Sequence, residues 1–385
     1  MSCEFYFSLV SNEMKDQVHN KEILSLLFHP HEQILFAGDI EGCLHFNLFD
    51  LDSCCVPEGL DLNPFKPHKK GSSCRTVDVI GDASDCKIVT GGSDRTVAVS
   101  SFDPKVVSRY TLDNSVYVVK SLEENFLLAG DDEGVLTGID IRMKAPVLTI
   151  HEQEDYITSI TSTVPCKSAL KSIACTAGDC TLAVYDLRAT QTSESKKRKD
   201  RLVAMSDPQE DELNCSLVLN SEHNLITGDA NGVVGIWKQG YWGDLKDRLP
   251  LYSKNESAGG MDGSHSIDGM KHIEDKKFIL VTSDGIIREC SLFPNQVRRV
   301  IGVHRGVDGS EIATISAFDA DVELGLIATS AGDSEGRIKF WSTKAEAEET
   351  SDDEDVKPKG KSKTKVLDIH KNAQKASRHQ FFSDL

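Results

Sequence analysis

Six acids stand at matching places along the chain: Glu41, Asp94, Glu133, Asp179, Asp284 and Glu335. Carboxylates can hold a cation or relay protons only where they converge within a few ångströms. Each of these acids lies in its own copy of a repeated segment. Each is therefore expected to accept local backbone N–H groups at a tight turn. Asp131-Asp132-Glu133 lacks the alternating ligand spacing of a calcium loop and reads as a solvated turn. His29-Pro30-His31 offers two imidazoles, with no cysteine or carboxylate at ligand spacing, and also reads as a turn. No nucleophile elbow, zinc-protease helix, phosphate-binding loop or dinucleotide fingerprint is found. The expectation is a protein that is not an enzyme and that holds neither metal nor cofactor.

The segment that positions these acids is clearest at LITGDANGVVGIW, residues 225–237, where two apolar runs flank Asp229-Ala230-Asn231-Gly232. Asn-Gly tolerates the positive φ angles of a two-residue hairpin turn, so the segment reads as a β-hairpin. Comparable stretches are ILFAGDIEGCLHF, KIVTGGSDRTVAV, FLLAGDDEGVLTGI, IACTAGDCTLAVY, FILVTSDGIIREC and LIATSAGDSEGRIKFW. The residue after the turn acid or amide is Gly42, Arg95, Gly134, Cys180, Gly232, Gly285 and Gly336 in turn, at intervals of 39 to 53 residues. A propeller blade takes roughly 40–45 residues, more when its loops are long. One hairpin cannot bury its apolar face alone, whereas seven radially packed sheets cover one another. The predicted fold is all-β, a seven-bladed β-propeller.

In the first blade, residues 21–28, 34–37 and 44–48 read as successive strands, and later inner strands fall near Val77, Val116, Ile157, Leu213, Ile267 and Ile312. After Trp341 the chain becomes too polar to finish a sheet. Residues 5–10, FYFSLV, alternate with Phe5, Phe7 and Leu9 on one side. They are expected to supply the missing strand and close the ring against the strand ending at Trp341. Deleting the first ten residues should then lower the melting temperature by many degrees. The propeller is assigned to residues 1–343, with a mobile charged insertion at 190–212 between the fourth and fifth blades. Residues 344–385 form an acidic-then-basic flexible tail whose end carries Phe381, Phe382 and Leu385.

The net charge of −18 opposes nucleic-acid binding by the ring and leaves RNA contact to the basic block at 357–365. No apolar run approaches the roughly 20 residues of a membrane span, and no secretory leader is visible. The expectation is a protein neither secreted nor membrane-inserted. Eleven scattered cysteines, with only Cys54-Cys55 adjacent, read as reduced thiols, and Cys43, Cys175 and Cys290 as small buried hydrophobes.

Three short motifs remain. Lys196-Lys197-Arg198-Lys199 has the form read by a nuclear-import receptor, and Ser351 stands before three acids, as an acid-directed kinase requires. Asp140-Ile141-Arg142 and Asp186-Leu187-Arg188 each close a third strand. They resemble the WD-x-Arg motif by which some WD40 proteins dock on the adaptor of cullin-type ubiquitin ligases. An arginine at this place also pairs simply with the acid before it.

ILSLLFHPHEQILFAGDIEGCLHFN in the first blade, the basic insertion near Lys196, and the tail ending His379-Gln380-Phe381-Phe382 together resemble the WD repeat-containing protein 55 family. That family consists of nucleolar propellers with fungal relatives. Only Trp237 and Trp341 occupy the repeat's tryptophan position. The resemblance implies a nonenzymatic platform in the nucleus and nucleolus, and also in the cytoplasm. It would act in ribosomal RNA processing and large (60S) subunit biogenesis, as a monomer within a larger complex of pre-ribosomal proteins. The alternative is a substrate receptor of a cullin-type ubiquitin ligase.

Overall fold

A computed structural model describes residues 17–49, 64–81, 85–163, 172–188, 201–219, 224–252, 265–274, 276–306, 312–333 and 335–343. All regular structure in these residues is β. Apart from β1 (Gln17–Val18), the strands fall in chain order into seven antiparallel blades. The first holds β2 (Ile23–Phe28), β3 (Ile34–Asp39) and β4 (Leu44–Leu48). The second holds β5 (Cys74–Ile80), β6 (Lys87–Gly92), β7 (Thr96–Ser101) and β8 (Lys105–Thr111), and the third β9 (Val116–Glu123), β10 (Phe126–Asp131), β11 (Val135–Asp140) and β12 (Leu148–His151). The fourth holds β13 (Ile157–Ser162), β14 (Ser172–Ala177), β15 (Leu182–Asp186) and β16 (Leu202–Met205), and the fifth β17 (Leu213–Val218), β18 (Asn224–Asp229), β19 (Val233–Lys238) and β20 (Asp247–Pro250). The sixth holds β21 (Ile267–Glu274), β22 (Lys277–Thr282), β23 (Ile286–Ser291) and β24 (Gln296–Val303). The seventh holds β25 (Ile315–Asp321), β26 (Leu326–Ala331) and β27 (Arg337–Ser342). The architecture is the expected seven-bladed propeller.

Each blade buries its apolar faces against its neighbours. Val97, Val99 and Ile80 of the second blade form one core with Val116, Leu127 and Ile139 of the third. Leu122 and Leu128 continue the pattern into Ile160 and Tyr185 of the fourth. Four joints share one device. A glycine on a blade's second strand leaves a notch for the first inner-strand residue of the next blade: Gly38 for Cys74, Gly91 for Val116, Gly130 for Ile157 and Gly228 for Ile267. A Cβ at Gly130 would stand 2.7 Å from Ile157, closer than two carbons approach. Alanine there would push the blades apart.

A hydrogen bond repeated in all seven blades ties the hairpin turn to the start of the inner strand. It runs from the N–H of Ile40, Ser93, Asp132, Gly178, Ala230, Ser283 and Gly332 to the carbonyl of Glu22, Ser73, Ser115, Tyr156, Glu212, Ser266 and Thr314. One rim of the ring is therefore built of hairpin turns and inner-strand starts.

The ring closes at the seventh blade, where β1 pairs with β27 through Gln17↔Ile338 and Val18↔Arg337. The Asn20 N–H donates to the Glu335 carbonyl at 2.8 Å, and the Ser316 hydroxyl reaches the Ile23 carbonyl at 2.7 Å. An N-terminal strand does close the last blade, but the described pairing is made by Gln17 and Val18. Phe5, Phe7 and Leu9 lie outside the described residues.

Two boundaries differ from expectation. The outer strand of the fourth blade, β16, lies within the supposed loop at 190–212, because Leu202 and Met205 pack on the core beside Tyr185. The inner strand of the seventh blade begins at Ile315. Ile312 is half exposed and makes only an isolated bridge to Arg305.

Candidate functional site

All seven residues aligned from the sequence adopt positive φ, from 55° at Gly336 to 78° at Gly42 and Gly134. Arg95 and Cys180 do so without being glycine. The turns are not the two-residue type expected from Asn-Gly. At 229–233 only Gly232 has positive φ, and three residues separate the strands, so this is a type I turn followed by a left-handed residue.

The acids do cap these turns, but in two ways. In the second, fourth and sixth blades Asp94, Asp179 and Asp284 accept the N–H of Thr96, Thr181 and Ile286, as the sequence suggested. In the first, third and fifth blades the cap is the acid ending the second strand: Asp39, Asp131 and Asp229 each accept two turn N–H groups at 2.7–3.0 Å. In the seventh, Asp333, two residues past the end of the second strand, accepts the Glu335 and Gly336 N–H groups at 3.1 and 3.0 Å. Glu41 and Glu335 instead face outward to Lys21 and Arg337. Asp131 is thus a buried cap rather than a solvated residue, while Asp132 pairs with Arg75 at 2.7 Å.

The buried polar groups serve the fold. His68 faces Asp94 through Nδ1 at 3.0 Å and Thr90 through Nε2 at 3.0 Å. This triad-like group is nearly sealed from solvent, and burial lowers the imidazole pKa. His29 accepts the Glu32 N–H at 2.9 Å, so the His29-Pro30-His31 segment is the expected turn. Trp237 and Trp341 donate to Thr227 and Thr329 at 3.0 and 2.8 Å. Cys43, Cys175 and Cys290 are buried, as expected of small hydrophobes. Burial pushes the Cys290 thiol up to about 12.

The inner strands line a polar channel. Lys271 of the sixth blade meets Asp319 of the seventh at 2.6 Å, and the second oxygen of Asp319 accepts the Phe28 N–H of the first at 2.8 Å. The Lys271 ammonium is held charged chiefly by Asp319 and also feels Asp78 of the second blade, from across the axis. Asp78 accepts the Ser121 N–H at 2.6 Å and lies 3.4 Å from Lys120.

At the turn-rim mouth, Tyr117 of the third blade is 39% exposed and packs on Tyr156 with ring centroids 5.0 Å apart. Tyr156 donates to Glu212 at 2.8 Å. Burial raises the Tyr117 phenol, which also feels Arg75, Asp132, Asp268 and Glu212. Asp268 has a Ser266 hydroxyl at 2.6 Å, and desolvation among the wall atoms lifts its carboxyl to about 6 even though its surface reaches the channel. No basic side chain pairs with Asp268 or Glu212 among the described residues. Sequence reading missed this group because its members come from the third to sixth blades and share no local motif.

On the opposite rim, Asp140 and Asp186 end the third strands of neighbouring blades. Arg142 donates to Asp140 from Nε at 2.9 Å and Nη2 at 2.5 Å, and Arg188 to Asp186 at 2.9 and 2.8 Å. The arginine side chains are 69% and 61% exposed. Hydrogen bonds from Arg142 hold the Asp140 carboxyl down to about 2. Met143, next to Arg142 in the chain, is exposed, as are Val147 of the same blade and Val203 of the blade of Arg188. Lys196, Lys197, Arg198, Lys199 and Ser351 lie outside the described residues.

No family model matches the chain. It is 26% identical over 280 residues to WD repeat-containing protein 55 of Arabidopsis thaliana, which covers 72% of this chain and 70% of that protein. It is 26% identical over 366 residues to the WD repeat-containing protein 55 homolog of Aedes aegypti (94% and 68% covered). With WD repeat-containing protein 55 of Rattus norvegicus it shares 27% identity over 319 residues (82% and 73%).

Proposed function

We propose that this homologue of WD repeat-containing protein 55 is a nonenzymatic scaffold of the nucleolus, acting in ribosomal RNA processing and large-subunit biogenesis. The similarity extends over most of the chain, and the propeller fold generally serves as a protein-interaction platform. The observation that carries the scaffold reading is the closed ring itself. Its core apolar side chains pack blade on blade, and two chemically different rims are left to face partners. The acid-rich turn rim favours protein partners with basic surfaces over direct contact with RNA phosphates. The nucleolar assignment draws on the family resemblance. Affinity purification of the tagged full chain from nuclear extract should recover pre-ribosomal proteins, and a set without ribosome-assembly factors would overturn it.

A second reading, docking on a ubiquitin-ligase adaptor, is favoured by one observation. Arg142 and Arg188 are exposed on neighbouring blades, each held in place by its own aspartate. Arg188→Ala should then remove the adaptor from the recovered proteins and leave pre-ribosomal proteins bound.

A further inference from the structure

We propose that the turn-rim mouth of the central channel receives a lysine or arginine side chain from a basic segment of a partner protein. The side chain would lie on the Tyr117 ring, with Asp268 and Glu212 as its counter-ions. Inside the channel the acids are matched: Asp319 by Lys271 and Asp78 by Lys120. At the mouth, Asp132 is matched by Arg75. Asp268 and Glu212 break this rule, each having only a hydroxyl as partner. Two carboxylates of the wall are therefore left without a cation.

The aromatic pair beside these acids points to the same occupant. Tyr156 is fixed by its bond to Glu212 and packs at a tilt of 46° against Tyr117, whose ring is left partly exposed. A tyrosine face attracts an ammonium or guanidinium, more strongly when water is excluded. This ring already uses the contact elsewhere: the Arg288 guanidinium lies 5.3 Å from the Tyr252 ring centroid and pairs with Asp284. The mouth repeats that aromatic-plus-carboxylate arrangement with the cation supplied from outside. Nucleic acid is the wrong occupant, because its phosphates would meet two uncompensated carboxylates.

This inference deepens the scaffold reading and rests on it for the existence of a partner. It is tested with the full chain and synthetic peptides, so its failure leaves the purification result unchanged. In fluorescence anisotropy, labelled arginine-rich or lysine-rich peptides should bind, and peptides of the same sequence with citrulline or acetyl-lysine should not. Asp268→Asn, Glu212→Gln and Tyr117→Ala should each weaken binding about tenfold, while Tyr117→Phe, which keeps the ring, should bind as the parent does. Asp103→Asn, on the opposite rim, removes the same charge and should have no effect. Melting curves for every variant establish that it is folded, and Tyr117→Phe and Asp268→Asn keep the test decisive if Tyr117→Ala is not. Three results would overturn the proposal: equal binding of the neutral peptides, equal weakening by Asp103→Asn, or no saturable peptide binding. Saturable binding of single-stranded RNA lost on the same substitutions would also overturn it.

Discussion

The depth of the channel and its mouth are made from the same inner strands, yet they treat charge in opposite ways. In the depth, Asp319 takes a proton donor from each of two neighbouring blades, so one carboxylate ties the sixth, seventh and first blades together. At the mouth, Asp268 is three residues from Lys271 on the same strand but has no cation. A matched acid serves the ring, whereas an unmatched one weakens it and is free to serve something else.

The sharpest way to break this comparison is Asp319→Ala. It removes the acceptor of the Phe28 N–H and leaves the Lys271 ammonium without a partner, and should destabilise by about 2–3 kcal/mol in denaturant unfolding. A change below the error of the method would show that the depth is no better matched than the mouth. Lys271→Met should cost less, about 1 kcal/mol, because Asp319 keeps the Phe28 N–H. In a double-mutant cycle the two substitutions should not add.

At the mouth the sign should reverse. The Asp268 carboxyl keeps its proton up to about 6 in the folded chain, whereas in the unfolded chain it loses it near the ordinary aspartate value of about 4. The folded state therefore binds more protons in that window, and this group's contribution to stability falls as pH rises through it. Asp268→Asn should raise the melting temperature at pH 7, and the gain should vanish below pH 4. A loss of stability at pH 7 would refute the unmatched-acid account. The smallest effect belongs to Arg188→Ala. Its pair with Asp186 is largely in solvent, and thermal unfolding should not change beyond scatter.

Much of the ring was legible because its signal is local and repeated. The seven positive-φ positions align by eye, since five are glycine and the other two sit in the same short motif. The caps were only half legible. Asp39, Asp131 and Asp229 follow a glycine and stand three residues before another in GDIEG, GDDEG and GDANG, a visible pattern that the neighbouring Glu41 and Glu133 obscured. The repeat's tryptophan gave way to Asn47, Ser100, Ile139, Tyr185 and Cys290, all buried at the same step after the turn. In these blades the position is buried whatever the size of its side chain, and the two indoles that occupy it in the others donate to the facing Thr227 and Thr329. Outer strands were the least legible: Leu202–Met205 is apolar but only four residues long beside a charged flank, and its pairing with β15 and packing beside Tyr185 make it a strand. The channel mouth was not legible at all, because Tyr117, Tyr156, Glu212 and Asp268 become neighbours only when the circle is complete.

The notches at Gly38, Gly91, Gly130 and Gly228 have one more consequence. At these joints a side chain at the start of one blade's inner strand seats in a gap in the backbone of the blade before it, so the fit is made strand to strand. A circularly permuted gene, with the two ends of the chain fused by a spacer and new ends opened between the fifth and sixth blades, should therefore still assemble the same wheel.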